Sequence, residues 1–106
     1  MAAAFVDLDG TIFSRGTEEF LPGAKAGLLR FHRAGHQLIF TTRRTSTLSD
    51  VDSLRKLLQR IFPGCVLIVG VESPRILIND EGAAAIQHEP NAPWQHDLLQ
   101  IVQGLT

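Results

Sequence analysis

Short apolar runs alternate with amphipathic stretches along this chain. Ala3 to Leu8 (AAFVDL) is an apolar run closed by Asp9-Gly10, the pattern of a buried strand that delivers acids at its carboxyl end. A loop over Ser14 to Phe20 follows. Pro22 then stands where a first helical residue belongs, Ala24, Leu28 and Phe31 recur at i, i+4 and i+7, and Gly35 supplies a stop. Gln37 to Thr42 (QLIFTT) reads as a second buried strand, ending in hydroxyls and followed by Arg43-Arg44. Ser49 or Asp50 can cap the next helix, whose stripe of Val51, Leu54, Leu58 and Ile61 runs into Pro63-Gly64.

Val66 to Val69 and Arg75 to Ile78 are two further strand-like runs separated by a handful of residues. A parallel crossover needs a dozen or more residues, so the two cannot both be parallel strands joined by a helix. The second is expected to be a strand, and the first a short edge strand or an extended crossing segment. Asn91 is placed to cap a last helix, with Pro93 near its start and Leu98, Leu99 and Val102 on its apolar side. The alternation predicts an α/β fold: a Rossmann-like three-layer sandwich with a mainly parallel central sheet and helices on both faces. Ligands of such sheets bind beyond the carboxyl ends of the strands. That rule gathers Asp7 and Asp9, Thr41 and Thr42, and Asn79 and Asp80 into one expected site.

Composition narrows the class. The 106 residues suit one domain, and 44% hydrophobic with 20% charged residues is the balance of a folded protein. No apolar run approaches the ~20 residues of a membrane span, and the opening MAAAFVDLDG lacks the basic segment of a secretory signal. A single cysteine, Cys65, excludes an internal disulfide and a multi-cysteine metal site; the expectation is a reducing, cytoplasmic setting with no membrane partner. The net charge of −1 hides an asymmetry: residues 25 to 60 carry eight bases and two acids, the remainder two bases and nine acids. The middle third can therefore attract an anion, while the slightly acidic whole shows no nucleic-acid signature.

Two carboxylates at i and i+2 on a strand end point the same way and need a counter-charge if they are shielded from water. A divalent cation is a natural partner, because Mg²⁺ takes carboxylate and carbonyl oxygens and keeps several waters. Asp7, the carbonyl of Asp9 and Asp80 would suffice. With negative charge absorbed, a phosphate can approach Asp7, which can act as nucleophile, and Asp9 can serve the leaving oxygen as an acid. Gly10 permits close backbone approach, and the Thr11 amide and the Thr41 hydroxyl can donate to phosphate oxygens. Other chemistries lack parts: there is no GxSxG elbow, P-loop or GxGxxG. His32 and His36 are separated by the helix stop expected at Gly35, His88 and His96 have no companion ligands nearby in sequence, and Glu18 and Glu19 fit solvated loop acids. Cys65 and Trp94 read as packing residues.

At these residues the chain resembles the haloacid dehalogenase (HAD) superfamily. FVDLDGTIF is similar to its first motif, DxDGT after an apolar strand; LIFTT resembles its second, and ILIND its fourth. The resemblance spans roughly residues 3 to 82. It implies a Mg²⁺-dependent phosphatase with Asp7 forming an aspartyl-phosphate, Asp9 as acid/base, and Thr41 on the phosphate. It also implies Gly10, Thr11, Thr42 and a base as further phosphate contacts, and Asp7, Asp9, Asn79 and Asp80 around the metal. The third motif's lysine has no counterpart in VGVESPRILIND; Arg75 is the nearest base and Arg43 the alternative. Asn79 stands where the fourth motif often has an acid. One loop and one helix fill the interval from Asp9 to Thr41, and residues 71 to 74 leave no room for a cap. A capless HAD-like core implies a bulky or macromolecular phosphorylated substrate, or a second copy of the chain serving as lid in a homo-oligomer. The competing expectation is a weakly active or non-catalytic phosphate- or metal-binding module. A phosphoacceptor receiver domain, which also combines acids, a Thr and a Lys, fits less well because Asp-x-Asp lies on the first strand and a suitable lysine is absent.

Overall fold

The computed structural model describes residues 1–45 and 49–106, with Ser49 and Asp50 described by their backbone alone. The order is β1 (Ala3–Asp7), α1 (Ala24–Arg33), β2 (Gln37–Thr41), α2 (Ser49–Ile61), β3 (Val66–Ile68) and α3 (Leu98–Leu105). The three strands form a parallel sheet in the order β1-β2-β3. Ala3 pairs with Gln37 through to Asp7 with Thr41, and Ile39 pairs with Val66 through to Thr41 with Ile68.

The register decides which side chains meet the helices. Val6, Phe40 and Leu67 share one face, and with Leu38 they lie over Leu28 and Phe31 of α1 and Leu54 and Leu58 of α2 in one core. The other face carries Phe5, Ile39, Val66 and Ile68, of which Phe5 is 63% exposed. The expected three-layer sandwich is therefore corrected to a sheet with α1 and α2 on one face. The cause is topological: both crossovers step the same way across the sheet, and right-handed crossovers then place both helices on the same side. Placing a crossover helix on the second face requires a reversal of strand order, and the chain makes none among β1, β2 and β3.

A second correction concerns the last strand. Val66–Ile68 is the third strand and lies at the sheet edge, whereas the expected strand at Arg75 to Ile78 is irregular and Ile76, Leu77 and Ile78 are 88%, 58% and 91% exposed. The segment after α2 is the one that returns parallel to β2. Only residues 69 to 74 separate β3 from Arg75, too little chain for another crossover. Helix ends are also adjusted. Gly23 and not Pro22 borders α1, and Asp97, whose carboxylate accepts the Gln100 amide at 3.2 Å, caps α3 in place of Asn91. The expected cap by Ser49 or Asp50 falls outside the described side chains.

Candidate functional site

Leu8 extends the β1–β2 ladder by one bond, its amide donating to the Thr41 carbonyl at 3.1 Å, and its side chain is fully buried. Burying Leu8 fixes its two neighbours: Asp7 and Asp9 stay at the carboxyl end of β1 beside Thr41 and Thr42. The chain then turns at Gly10, which adopts φ +81°, and a Cβ there would stand 3.3 Å from the Arg15 guanidinium. Only glycine takes this conformation without strain. The turn consumes its own donors. The Thr11 amide bonds the Leu8 carbonyl at 3.2 Å and the Gly10 amide bonds the Phe13 carbonyl at 2.8 Å, so the Thr11 amide, expected to face a phosphate, is committed to the loop.

Each carboxylate meets a guanidinium. Arg75 Nη1 donates to Asp7 Oδ1 at 2.8 Å and to Thr41 Oγ1 at 3.3 Å, while its Nε and Nη2 donate to the carbonyls of Glu72 and Val71. The other Asp7 oxygen accepts the Thr11 hydroxyl at 3.2 Å. Arg44 reaches both oxygens of Asp9, Nη2 to Oδ1 at 2.6 Å and Nε to Oδ2 at 3.2 Å, and also donates to the Thr17 carbonyl. This pair is the better shielded, with side chains 14% and 25% exposed against 31% and 34% for Arg75 and Asp7. A bidentate guanidinium–carboxylate pair is strong and geometrically exacting. Buried Thr42 completes it, donating to Asp9 Oδ2 at 3.4 Å and accepting the Arg44 amide at 3.1 Å.

Of the two bases named from sequence, Arg75 is at the site. Arg43 is on the surface, 4.0 Å from Glu72 with the two side chains 69% and 83% exposed. Arg44, which enters the sequence reading only as charge, is the residue missed; a Thr-x-Arg step, with the hydroxyl turning the chain, is the available signal. Asn79 and Asp80 are not built into the site by any hydrogen bond among the described residues: Asn79 donates to the Glu81 carbonyl and Asp80 accepts the Glu81 amide. Both follow from the loss of the fourth strand, which would have carried them to the carboxyl end of the sheet.

The two carboxylates are engaged within the protein. Both Asp7 oxygens and both Asp9 oxygens already accept hydrogen bonds, and no group of three or more His, Cys, Asp or Glu side chains is gathered for a metal among the described residues. Two further candidates, Cys65 and His36, pack within the fold. Cys65 is buried, and burial pushes its thiol up, against a smaller opposing effect of its backbone hydrogen bond. His36 accepts the Ala2 amide at 3.0 Å and stacks on Phe31, a structural role.

An open groove of about 920 Å³ runs from Asp7, Thr11, Thr41 and Arg75 along β1 to the apolar side of α3. Polar donors thus sit at one end of a largely apolar trough. No helix among the described residues is long and apolar enough to cross a membrane. Compared with known protein families, curated proteins and solved structures, the chain has no match.

Proposed function

We propose that this chain is a HAD-type phosphohydrolase that transfers the phosphoryl group of a monoester to Asp7. The observation that carries the reading is the Arg75 contact with both Asp7 and Thr41 at the carboxyl end of the sheet. A phosphate dianion beside Asp7 meets a guanidinium and two hydroxyls, those of Thr11 and Thr41, in place of bare carboxylate repulsion. In the first step an Asp7 oxygen bonds phosphorus and the ester P–O bond breaks, its electron pair leaving with the alcohol oxygen. Water then attacks the acyl phosphate, and inorganic phosphate and the Asp7 carboxylate are regenerated.

Asp9 is placed to exchange a proton with the leaving oxygen or the water, but Arg44 engages both of its oxygens. Aryl phosphates, which release a stable phenolate and need no proton, are therefore the expected better substrates. Mg²⁺ belongs to this reading as a proposed activator through Asp7 and the Asp9 carbonyl; none of the steps above is routed through it. The missing cap and the open trough favour a bulky phosphorylated substrate.

A second reading, a phosphate-binding module without turnover, draws on the same guanidinium contacts, which occupy both carboxylates. One assay separates the two: release of phenolate from an aryl phosphate, with and without Mg²⁺, by the wild type, Asp7→Asn and Arg75→Ala. Turnover that Asp7→Asn abolishes and Arg75→Ala lowers at least tenfold supports the enzyme. Phosphate-dependent thermal stabilisation with no turnover supports the module, and turnover undiminished in Asp7→Asn refutes the Asp7 mechanism.

A further inference from the structure

The segment from His88 to His96 is tied to the candidate site and closed on itself by two histidines. At its tip Asn91 adopts φ +62°, a left-handed conformation that asparagine tolerates better than most residues. From there its amide donates to the Gly10 carbonyl at 2.8 Å and its Oδ1 accepts the Arg15 amide at 2.8 Å. Asn91 thus bridges both ends of the loop that leaves Asp9. At its base Trp94 is buried against α1: its amide donates to the Pro22 carbonyl at 2.9 Å, its ring Nε1 to the His96 carbonyl at 3.0 Å. His88 stacks on Trp94 and lies 2.8 Å, Nδ1 to Nε2, from His96.

We propose that residues 88 to 96 are a proton-sensitive clasp that holds the Asp9–Gly10 loop in its present geometry. It rests on the phosphohydrolase reading only in its consequence for activity. The proton inventory follows from one contact. His88 Nε2 lies 2.8 Å from the Ala92 carbonyl, which can only accept, so this nitrogen carries a hydrogen. The facing pair, His88 Nδ1 and His96 Nε2, then shares a single proton. The bond exists when both rings are neutral, with His96 donating, and when the pair holds one charge. A second charge puts hydrogens on both facing nitrogens, and the contact opens.

The surroundings do not offset that second charge. Glu89 lines the cleft of about 310 Å³ that the two rings share, and Asp7, Glu72 and Arg75 line the larger groove that both rings also reach. The groove residues of α1 and α3 are apolar, and Asp97 at the head of α3 is engaged with Gln100. Among the described residues none of these acids pairs with either histidine. Burial, and then the neighbouring His88 charge, pull His96 below the ordinary histidine value. The clasp is therefore closed at neutral pH and opens as pH falls below the ordinary histidine range. Opening frees the Gly10 carbonyl and the Arg15 amide and lets the loop that sets Asp9 depart from its geometry.

The test is amide and imidazole NMR of the full chain between pH 7.5 and 5. The Gly10, Arg15 and Asn91 amides are expected to shift together, with the midpoint of the second His88/His96 protonation. The shifts disappear in His88→Gln and in His96→Gln, and persist in His32→Gln. Loop shifts that keep their midpoint in the His88 and His96 variants, or a wild-type loop that stays unperturbed while both rings titrate, overturn the clasp. The wild-type comparison of midpoints stands even if a variant fails to fold. Where aryl phosphate is turned over, the acid-side loss of kcat moves in His96→Gln. No turnover at any pH counts against the phosphohydrolase, and the amide titration then decides the clasp by itself.

Discussion

Arg44 and Arg75 do different work although each neutralises one aspartate. The Arg44–Asp9 pair is bidentate and largely shielded, so removing the guanidinium strands the Asp9 carboxylate with the Thr42 hydroxyl still on it. Arg44→Gln is expected to lower unfolding free energy by about 1–3 kcal/mol in urea titration. In the Asp9→Asn background the same change should cost markedly less, because the two residues are coupled. The Arg75–Asp7 pair is single-armed and about one-third exposed, so Arg75→Ala is expected to change stability by less than about 1 kcal/mol while reducing turnover. The acids, the threonines and Arg75 are legible in the sequence because strand ends and an α/β rule put them at one edge. Arg44 is not, because two adjacent arginines leave a strand in different directions and only the Thr42 turn decides which one points back at Asp9.

The elements show where periodicity suffices and where it does not. Both α1 and α2 carry their stripes on the buried side as spaced: Leu28 and Phe31, Val51, Leu54 and Leu58 are at most 1% exposed. The apolar run at 76 to 78 misleads, since strand-like composition says nothing about whether a neighbouring strand is within reach. Because these isoleucines are not packed in this arrangement, Ile76→Lys with Ile78→Lys is expected to leave the unfolding free energy within about 0.5 kcal/mol of wild type. A larger loss would mean that the segment is packed in solution. Gly27 makes the opposite point inside α1. Alanine favours a helix over glycine by about 1 kcal/mol. Here, however, a Cβ would stand 2.8 Å from Trp94 Nε1, in a ring held by the core. Overpacking costs typically about 1–3 kcal/mol, so Gly27→Ala should destabilise the chain on thermal melting. No sequence pattern marks that glycine, because its partner is 67 positions away in the chain.

For the whole molecule, one sheet face is packed, the other carries Phe5, Val66 and Ile68 partly in water, and the candidate site sits at the end of an edge strand. The asymmetry of charge reaches the site through Arg44, a base of the positive middle third placed on a candidate carboxylate. Stability should follow pH through His96. Its folded value is lowered, so the unfolded chain takes up the proton first; the contribution is complete above the ordinary histidine value near 6.5 and is lost as pH falls through the folded value. Urea titrations should show this acid-side decline, and His96→Gln should flatten it. The proposed function stands or falls on whether Asp7 becomes phosphorylated. Acid-quenched intact-mass analysis of the protein mixed with an aryl phosphate and Mg²⁺, followed by peptide mapping after borohydride trapping, reads that step itself. An adduct of one phosphoryl group, located on Asp7 and absent from Asp7→Asn, is expected. Turnover with the adduct on another residue, or an undiminished adduct in Asp7→Asn, would contradict it.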